Sequence, residues 1–283
     1  MTRETLRVGI STCPNDTFAF HGLLSGTSDP QGFDWQLELC DVQTLNERWL
    51  AGDFDVAKAS FAAALQADED TLVLPVGSAI GRGVGPVVLA RPDVALPTSP
   101  RVLAPGEHTT ATLLWRLLQP GRGRLTQVVF SAIMPALARG EADLGVCIHE
   151  GRFTYREHGL RLELDLGALW ERESLCPLPL GGILARRRLG PQRCERAARA
   201  IAASLACAGE DSAATTATLR RYAQEHSDEV LWKHVELYVT DDTRGIGAEG
   251  RNALRELARR ARAAGLARSA RPLALSDEPA SWA

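Results

Sequence analysis

The sequence predicts an α/β protein of two lobes, the first interrupted by the second, and three observations carry that expectation. Strand-like and helix-like patterns alternate along most of the chain, an order that builds a mainly parallel sheet flanked by helices. Two proline-rich stretches, Pro92 to Pro100 and Cys176 to Gly182, break the alternation and are poorly suited to helix. They are expected to be the two crossings between lobes. Between them lies a second α/β set able to form a small domain by itself.

Taken in order, Leu6 to Ser11 reads as a buried strand. Asp16 to Leu24 carries Phe18, Phe20, Leu23 and Leu24 at helical spacing and stops at Gly26, and Phe33 to Leu39 alternates apolar and polar residues with period two. A helix near Val42 to Ala51, a strand at Asp55 to Ala59, a helix from Phe61 and strands at Leu72 to Val76 and Pro86 to Arg91 extend the pattern. The inserted set runs strand Arg101 to Ala104, helix Glu107 to Leu118, strand Leu125 to Phe130, helix Ala132 to Arg139, strand Leu144 to Ile148 and strand Leu160 to Leu166. Beyond the second crossing come a strand at Ile183 to Ala185 and helices at Gln192 to Ala208, Ala213 to Glu225, Asp228 to Val239 and Ala248 to Ala264. From Ser269 the tail has little periodicity and is expected to be an extended strap. The expected division is a large lobe of residues 1–92 and 181–283 and a small lobe of 93–180. This is the layout of periplasmic-binding-protein-like (type II) folds, in which ligand lies in the interlobe cleft. It predicts a cleft and leaves the chemistry open.

Composition narrows the function classes. Across 283 residues, 32 basic against 35 acidic side chains give a formal charge of −3, which argues against nucleic acid or an anionic membrane surface as the main partner. Area scaling predicts roughly 12,000 Å² exposed when folded against about 44,000 Å² unfolded, enough burial for a full core. Apolar residues at 45% and charged residues at 24% are globular values, and no apolar run approaches a membrane span. The first residues run into a strand without the apolar stretch of a signal peptide, so a cytosolic protein is expected. Six cysteines without a Cys-x-x-Cys pair read as free thiols, and no metal site is expected. Lys58 and Lys233 are the only lysines, the other 30 basic residues being arginine, so a lysine here invites scrutiny.

Several strand ends carry candidate chemistry. In Ser11-Thr12-Cys13-Pro14-Asn15-Asp16, Asn15 or Asp16 could cap the next helix, or this turn could hold ligand at the carboxyl end of the first strand. A chemical role for Cys13 rests only on the adjacent helix terminus. Lys58-Ala59-Ser60 would bring a point charge and a hydroxyl to the same edge, the plain alternative being an exposed lysine. Thr109 and Thr110, after Pro105-Gly106-Glu107-His108, stand at a helix N-terminus suited to an anion, or serve only as caps. Gly81-Arg82-Gly83-Val84-Gly85-Pro86 lacks the spacing of a dinucleotide fingerprint and reads as a tight turn or hinge. His149 alone among the histidines directly ends a predicted strand, where an imidazole of ordinary pKa, about 6.5, could accept a proton. A structural histidine is the plain alternative. Glu150 could orient it or merely open the following helix.

Together these motifs resemble the 1,4-dihydroxy-6-naphthoate synthases, the MqnD family of the futalosine route to menaquinone. The resemblance rests on Ser11 to Phe18, Gly81 to Pro86, Pro105 to Ala111, His149-Glu150-Gly151-Arg152-Phe153-Thr154-Tyr155 and Pro177-Leu178-Pro179-Leu180-Gly181, and runs from Leu6 to about Pro272. Gly151 stands where a serine is common, and Cys176 precedes the Pro-Leu-Pro-Leu stretch. The resemblance implies a cofactor-free lyase that opens cyclic dehypoxanthinylfutalosine to 1,4-dihydroxy-6-naphthoate and dihydroxyacetone. It implies His149 as proton acceptor, Lys58, Ala59 and Ser60 as one substrate-binding edge and Thr109 and Thr110 as another, beside Asn15 and Asp16. The expected partner is a small substrate carrying a carboxylate; a homodimer stays open. Chorismate dehydratase, of the same pathway and fold, and a non-catalytic binding protein are the alternatives, disfavoured respectively by the Thr109-Thr110 and His149-Glu150 motifs and by the absent signal peptide and His149.

Overall fold

A computed structural model describes residues 3–149, 151–223, 227–268 and 272–282. The chain begins β1 (Glu4–Ser11), α1 (Pro14–Ala19), α2 (His21–Ser25), β2 (Phe33–Cys40), α3 (Val42–Ala51), β3 (Val56–Ser60), α4 (Phe61–Ala64), β4 (Thr71–Val73) and β5 (Ala79–Gly81). It continues β6 (Val87–Ala90), β7 (Arg101–Ala104), α5 (Thr110–Leu118), β8 (Arg124–Gln127), α6 (Phe130–Ala138), β9 (Leu144–Cys147), α7 (Gly151–Thr154), β10 (Arg161–Asp165) and α8 (Leu166–Ser174). Strand β11 (Leu178–Arg186) and helices α9 (Gly190–Glu210), α10 (Ser212–Tyr222), α11 (Asp228–Tyr238), α12 (Asp241–Arg244) and α13 (Ala248–Ala263) complete it. One sheet has the order β2-β1-β3-β11-β4, with β5 also on β11; the other has the order β10-β6-β9-β7-β8.

Local chemistry accounts for the boundaries that agree with expectation. Asp41 accepts from the amides of Gln43 and Thr44 at 2.9 and 3.1 Å to open α3, and Gly52, at φ 91°, ends it in the left-handed conformation. Helix α9 turns Cys194, Ala197, Ile201, Leu205 and Ala208 into a core with Val8, Ile10 and Phe20 of the first sheet's side. A larger apolar cluster takes Ala57 and Leu184 from the first sheet together with Val88 and Val146 from the second, through Leu114 and Trp170. The two sheets are thus joined by packed side chains as well as by backbone. The accessible area, 12072 Å², agrees with the area scaling.

Other expectations are corrected. The sheets are mixed: β1 pairs parallel with β2 and β3, and β7 with β8 and β9, but β11 runs antiparallel to β3, β4 and β5, and β6 antiparallel to β9 and β10. A strand that returns from the other lobe enters the sheet from the opposite end, and β11 is such a strand. The strand at Val87–Ala90, assigned to the first lobe by the expected boundary at 92–93, hydrogen-bonds β9 and β10 in the second sheet. Pro92 to Pro100 is therefore a loop between two strands of that sheet, and residues 82–86 make the crossing. There Gly83 and Gly85 have φ of 68° and 115°, and a Cβ on Gly85 would lie 2.5 Å from Leu178 Cδ2, so the close approach demands glycine.

The expected helix Asp16 to Leu24 is two helices broken at Phe20 (φ −98°, ψ 10°). The strand expected to reach Phe130 stops at Gln127, and Phe130 opens α6. The strand expected to reach Leu166 stops at Asp165, whose carboxylate accepts from the Ala168 amide at 3.0 Å and starts α8 at once. That helix has no counterpart in the sequence reading, nor do β5 and α12. Glu150, the end of the helix expected to reach Glu225, and the first residues of the expected strap, Ser269 to Arg271, lie outside the described residues. From Leu273 the strap docks on the edge of β4, where Val73 donates to Ala274 at 2.8 Å and accepts from Ser276 at 2.9 Å, covering an otherwise open strand edge.

Candidate active site

Where the ends of β1, β3 and β9 face the start of α5 and the middle of α11, a cleft opens between the sheets. It is lined by Asn15, Asp16, Lys58, Ala59, Ser60, Thr109, Thr110 and His149, the eight residues singled out from the sequence, together with Cys13, His234 and Tyr238 among others. Far apart in sequence, they meet because strand-to-helix turns collect at the carboxyl ends of strands.

The floor is an ion pair. Lys58 is 7% exposed and Asp16 3%. Its ammonium pairs with Asp16 Oδ1 and donates to the Gly77 carbonyl at 3.2 Å. Ser11 Oγ donates to Asp16 Oδ2 at 2.5 Å, and Asn15 Nδ2 donates to Oδ1 at 2.8 Å. Two of the plain alternatives fall away as a result. Lys58 lies within β3, not exposed at a strand end, and Asp16 does not cap α1, whose N-cap is Cys13 without a side-chain bond. A buried carboxylate must be paired and hydrogen-bonded, and the cation with two neutral donors meets that need here.

The wall opposite is the first turn of α5. Thr109 Oγ1 accepts from the Thr112 amide at 3.2 Å and donates to the Gly106 carbonyl at 2.8 Å. Thr110 Oγ1 donates to the Leu180 carbonyl at 2.6 Å and accepts from the Ala62 amide at 3.3 Å. Both hydroxyls are thus occupied in holding the helix start against its neighbours. At helix positions N1 and N2 the amides of Thr110 and Ala111 have no intrahelical acceptor, the feature that makes a helix N-terminus suited to an anion. Ser60 is set beside them by Asn46, whose Nδ2 donates to Ser60 Oγ at 3.1 Å while its Oδ1 accepts from the Ser60 amide at 2.9 Å.

His149 follows β9 with φ 55°, a left-handed conformation uncommon outside glycine that costs about 1–3 kcal/mol. Its ring stands edge-on to Phe130, centroids 4.9 Å apart at 70°, and Cys13 Sγ lies 3.2 Å from Nδ1 and 3.7 Å from Nε2. The backbone turn aims an imidazole into the cleft from the second lobe while the ion pair and the Cys13 turn approach from the first.

His234 was not singled out from the sequence; only its recurrence on one helix face with Leu231, Val235 and Tyr238 could have placed it, and that pattern reads as core. It is 1% exposed, stacked 6.3 Å from the His149 ring and 4.5 Å from Tyr238. Burial first, then the charges of His149 and Lys58, holds its pKa well below the usual 6.5. The folded protein therefore keeps His234 neutral while the unfolded chain takes up a proton below pH 6.5. Stability is undiminished above that pH and falls as pH drops below it, by up to about 1.4 kcal/mol per unit. Urea unfolding at pH 7.5 and 5.5 checks this: the loss on acidification should be about 1 kcal/mol larger in the wild type than in His234→Gln, and equal losses would remove His234 as its source.

Comparison with known proteins places the chain in a family. The menaquinone-biosynthesis family matches residues 6–263. The chain belongs to that family. A 1,4-dihydroxy-6-naphthoate synthase of Thermus thermophilus is 43% identical over 272 residues, 95% of this chain and 99% of the relative. One from Streptomyces coelicolor is 38% identical over 281 residues, 98% of this chain and 99% of its own. Among solved structures, protein AF1704 of Archaeoglobus fulgidus superposes with a TM-score of 0.87 at 30% identity, covering 93% of this chain and 98% of that one. The ligand-binding component of an ABC-type import system from Staphylococcus aureus superposes at 0.71 with 14% identity over 99% of this chain and 98% of its own. The second similarity shows the fold alone: this chain has the two-lobe architecture of periplasmic-binding-protein-like folds. Among the described residues no helix is long and apolar enough to cross a membrane.

Proposed function

We propose that this member of the family is a 1,4-dihydroxy-6-naphthoate synthase, opening cyclic dehypoxanthinylfutalosine to 1,4-dihydroxy-6-naphthoate and dihydroxyacetone, with His149 as proton acceptor. The observation that carries the reading is the single cleft in which His149 faces Lys58, Ser60 and the first turn of α5. His149 takes the proton of a substrate hydroxyl. That oxygen becomes a carbonyl as the neighbouring carbon–carbon bond breaks, and the released electron pair passes to the ring, whose aromatisation drives the step. The free amides of Thr110 and Ala111 hold the substrate carboxylate, and the Lys58 ammonium, which has one N–H beyond those given to Asp16 and Gly77, turns the third towards developing negative charge. Incubating the purified protein with the cyclic substrate and following the naphthoate by liquid chromatography and mass spectrometry tests the reading; no product overturns it. The setting is the cytosol, where the free thiols stay reduced.

The threonines separate two functions. Thr109→Val removes a cap and should lower stability by about 1 kcal/mol with little change in KM, because the carboxylate is held by backbone amides. Thr110→Val breaks the link to Leu180 across the cleft wall and should raise KM as the α5 start shifts. Denaturation midpoints and KM measured on both variants check the pair, and unchanged KM in Thr110→Val would free the α5 start from substrate binding.

A further inference from the structure

We propose that His234 is a substrate-binding residue of the cleft, its Nδ1 lone pair accepting a hydrogen bond from a substrate hydroxyl. The inference rests on the lyase reading above and adds to it an acceptor on the first lobe. Of the buried side-chain polar atoms without a partner among the described residues, His234 Nδ1 is the one that belongs to a cleft-lining residue.

The hydrogen-bond chain beneath it fixes the tautomer. Asp16 offers only acceptors to its neighbours, since it pairs with Lys58 and receives Ser11 Oγ. Asn15 must therefore turn its amide nitrogen to Asp16, at 2.8 Å, and its oxygen to His234 Nε2, at 3.0 Å. An amide oxygen cannot donate, so Nε2 carries the hydrogen and a neutral ring leaves Nδ1 as a bare acceptor. Burial and the nearby charges of His149 and Lys58 keep the ring neutral. A buried acceptor without a donor is unfavourable in the empty protein, and a ligand hydroxyl relieves that cost.

The complementarity also points to a hydroxyl. Lys58 and the amides at the start of α5 are donors and suit oxyanions, whereas His234 Nδ1 suits a donor. The three-carbon fragment released by the proposed reaction carries hydroxyls, and the His234 ring lies 6.3 Å from that of His149, the base. His234 would thus steady the hydroxyl-bearing end of the substrate beside the group that deprotonates it.

Two amide substitutions separate this role from a merely structural one. In His234→Asn the amide oxygen can stand where Nδ1 stood, but the side chain no longer reaches Asn15. In His234→Gln the amide can replace Nε2 and keep the bond to Asn15, but no acceptor remains at Nδ1. The expected result is a roughly tenfold fall in kcat/KM for His234→Gln, the loss of one hydrogen bond, with His234→Asn much closer to wild type. The reverse order, or equal losses, would overturn the inference and leave His234 as packing for Asn15. A second measurement needs no variant at His234: in His149→Ala, whose turnover is expected to be slower by about 10²-fold or more, the nitrogen-15 resonance of His234 Nδ1 should move upfield when the cyclic substrate is added, and a stationary resonance overturns the inference. Absence of turnover by the wild-type enzyme is a different outcome, which removes the lyase reading and this substrate role with it.

Discussion

Replacing His149 by alanine is expected to lower kcat by roughly 10²–10⁴-fold, the usual worth of a positioned general base, while the protein stays folded. The side chain stands on a turn and touches Phe130 and Cys13 at the cleft without filling either main core cluster. Because its φ is 55°, His149→Asn is the better control for folding, asparagine being among the residues that tolerate this conformation. Both variants should show native circular dichroism and substrate affinity near that of wild type. In the wild type kcat should fall on the acid side as the imidazole gains a proton, and this limb should vanish in the residual activity of the variants. An enzyme that keeps wild-type kcat in either variant would exclude His149 as the proton acceptor.

The second large effect is on Lys58. Lys58→Met leaves the Asp16 carboxylate buried with only Ser11 and Asn15 to hold it, and breaking a buried pair from one side costs about 3–5 kcal/mol. Urea unfolding should show that loss, and the double variant with Asp16→Asn should recover part of it, since no charge is then stranded. Lys58→Arg keeps the charge but not the shape: a planar fork does not fit where a compact ammonium meets Asp16 and Gly77. Displacing that floor should lower kcat/KM by up to about 100-fold. Lys233, half-exposed on α11 and paired with Glu229 at 2.6 Å, should tolerate arginine without effect. Equal kcat/KM in Lys58→Arg and Lys233→Arg would show that the ammonium has no part in the cleft.

What the sequence determined by itself was local or periodic. The alternation of strand and helix, the interrupted lobe, the place of Lys58 to Ser60 in the third strand and that of His149 just past β9 were legible because period, capping residues and turn chemistry are written within a few neighbours. Val42–Ala51 was legible because Asp41 and Gly52 mark both its ends. The start of α8 was not, because Leu166 completes the period-two run of β10 and also opens a helix, and only the Asp165 cap in its folded position decides between them. Strand direction was likewise out of reach: the same apolar letters serve a parallel or an antiparallel neighbour, and β11 became antiparallel because the chain had first crossed to the other sheet.

The tertiary structure alone decided what the site residues do to one another. The composition marked Lys58 as unusual, but that its charge meets Asp16 follows from β1 and β3 lying side by side. Thr109 and Thr110 looked like ligand hydroxyls or caps; folding pairs those hydroxyls with Gly106, Thr112, Leu180 and Ala62. His234 carried no signal at all, since a histidine on an apolar helix face reads as core. It joins the cleft only because α11 packs on α1, where Asn15 meets it. Residue type and spacing are properties of the chain, whereas a hydrogen-bond partner more than two hundred residues away is a property of the packed core that brings it within reach.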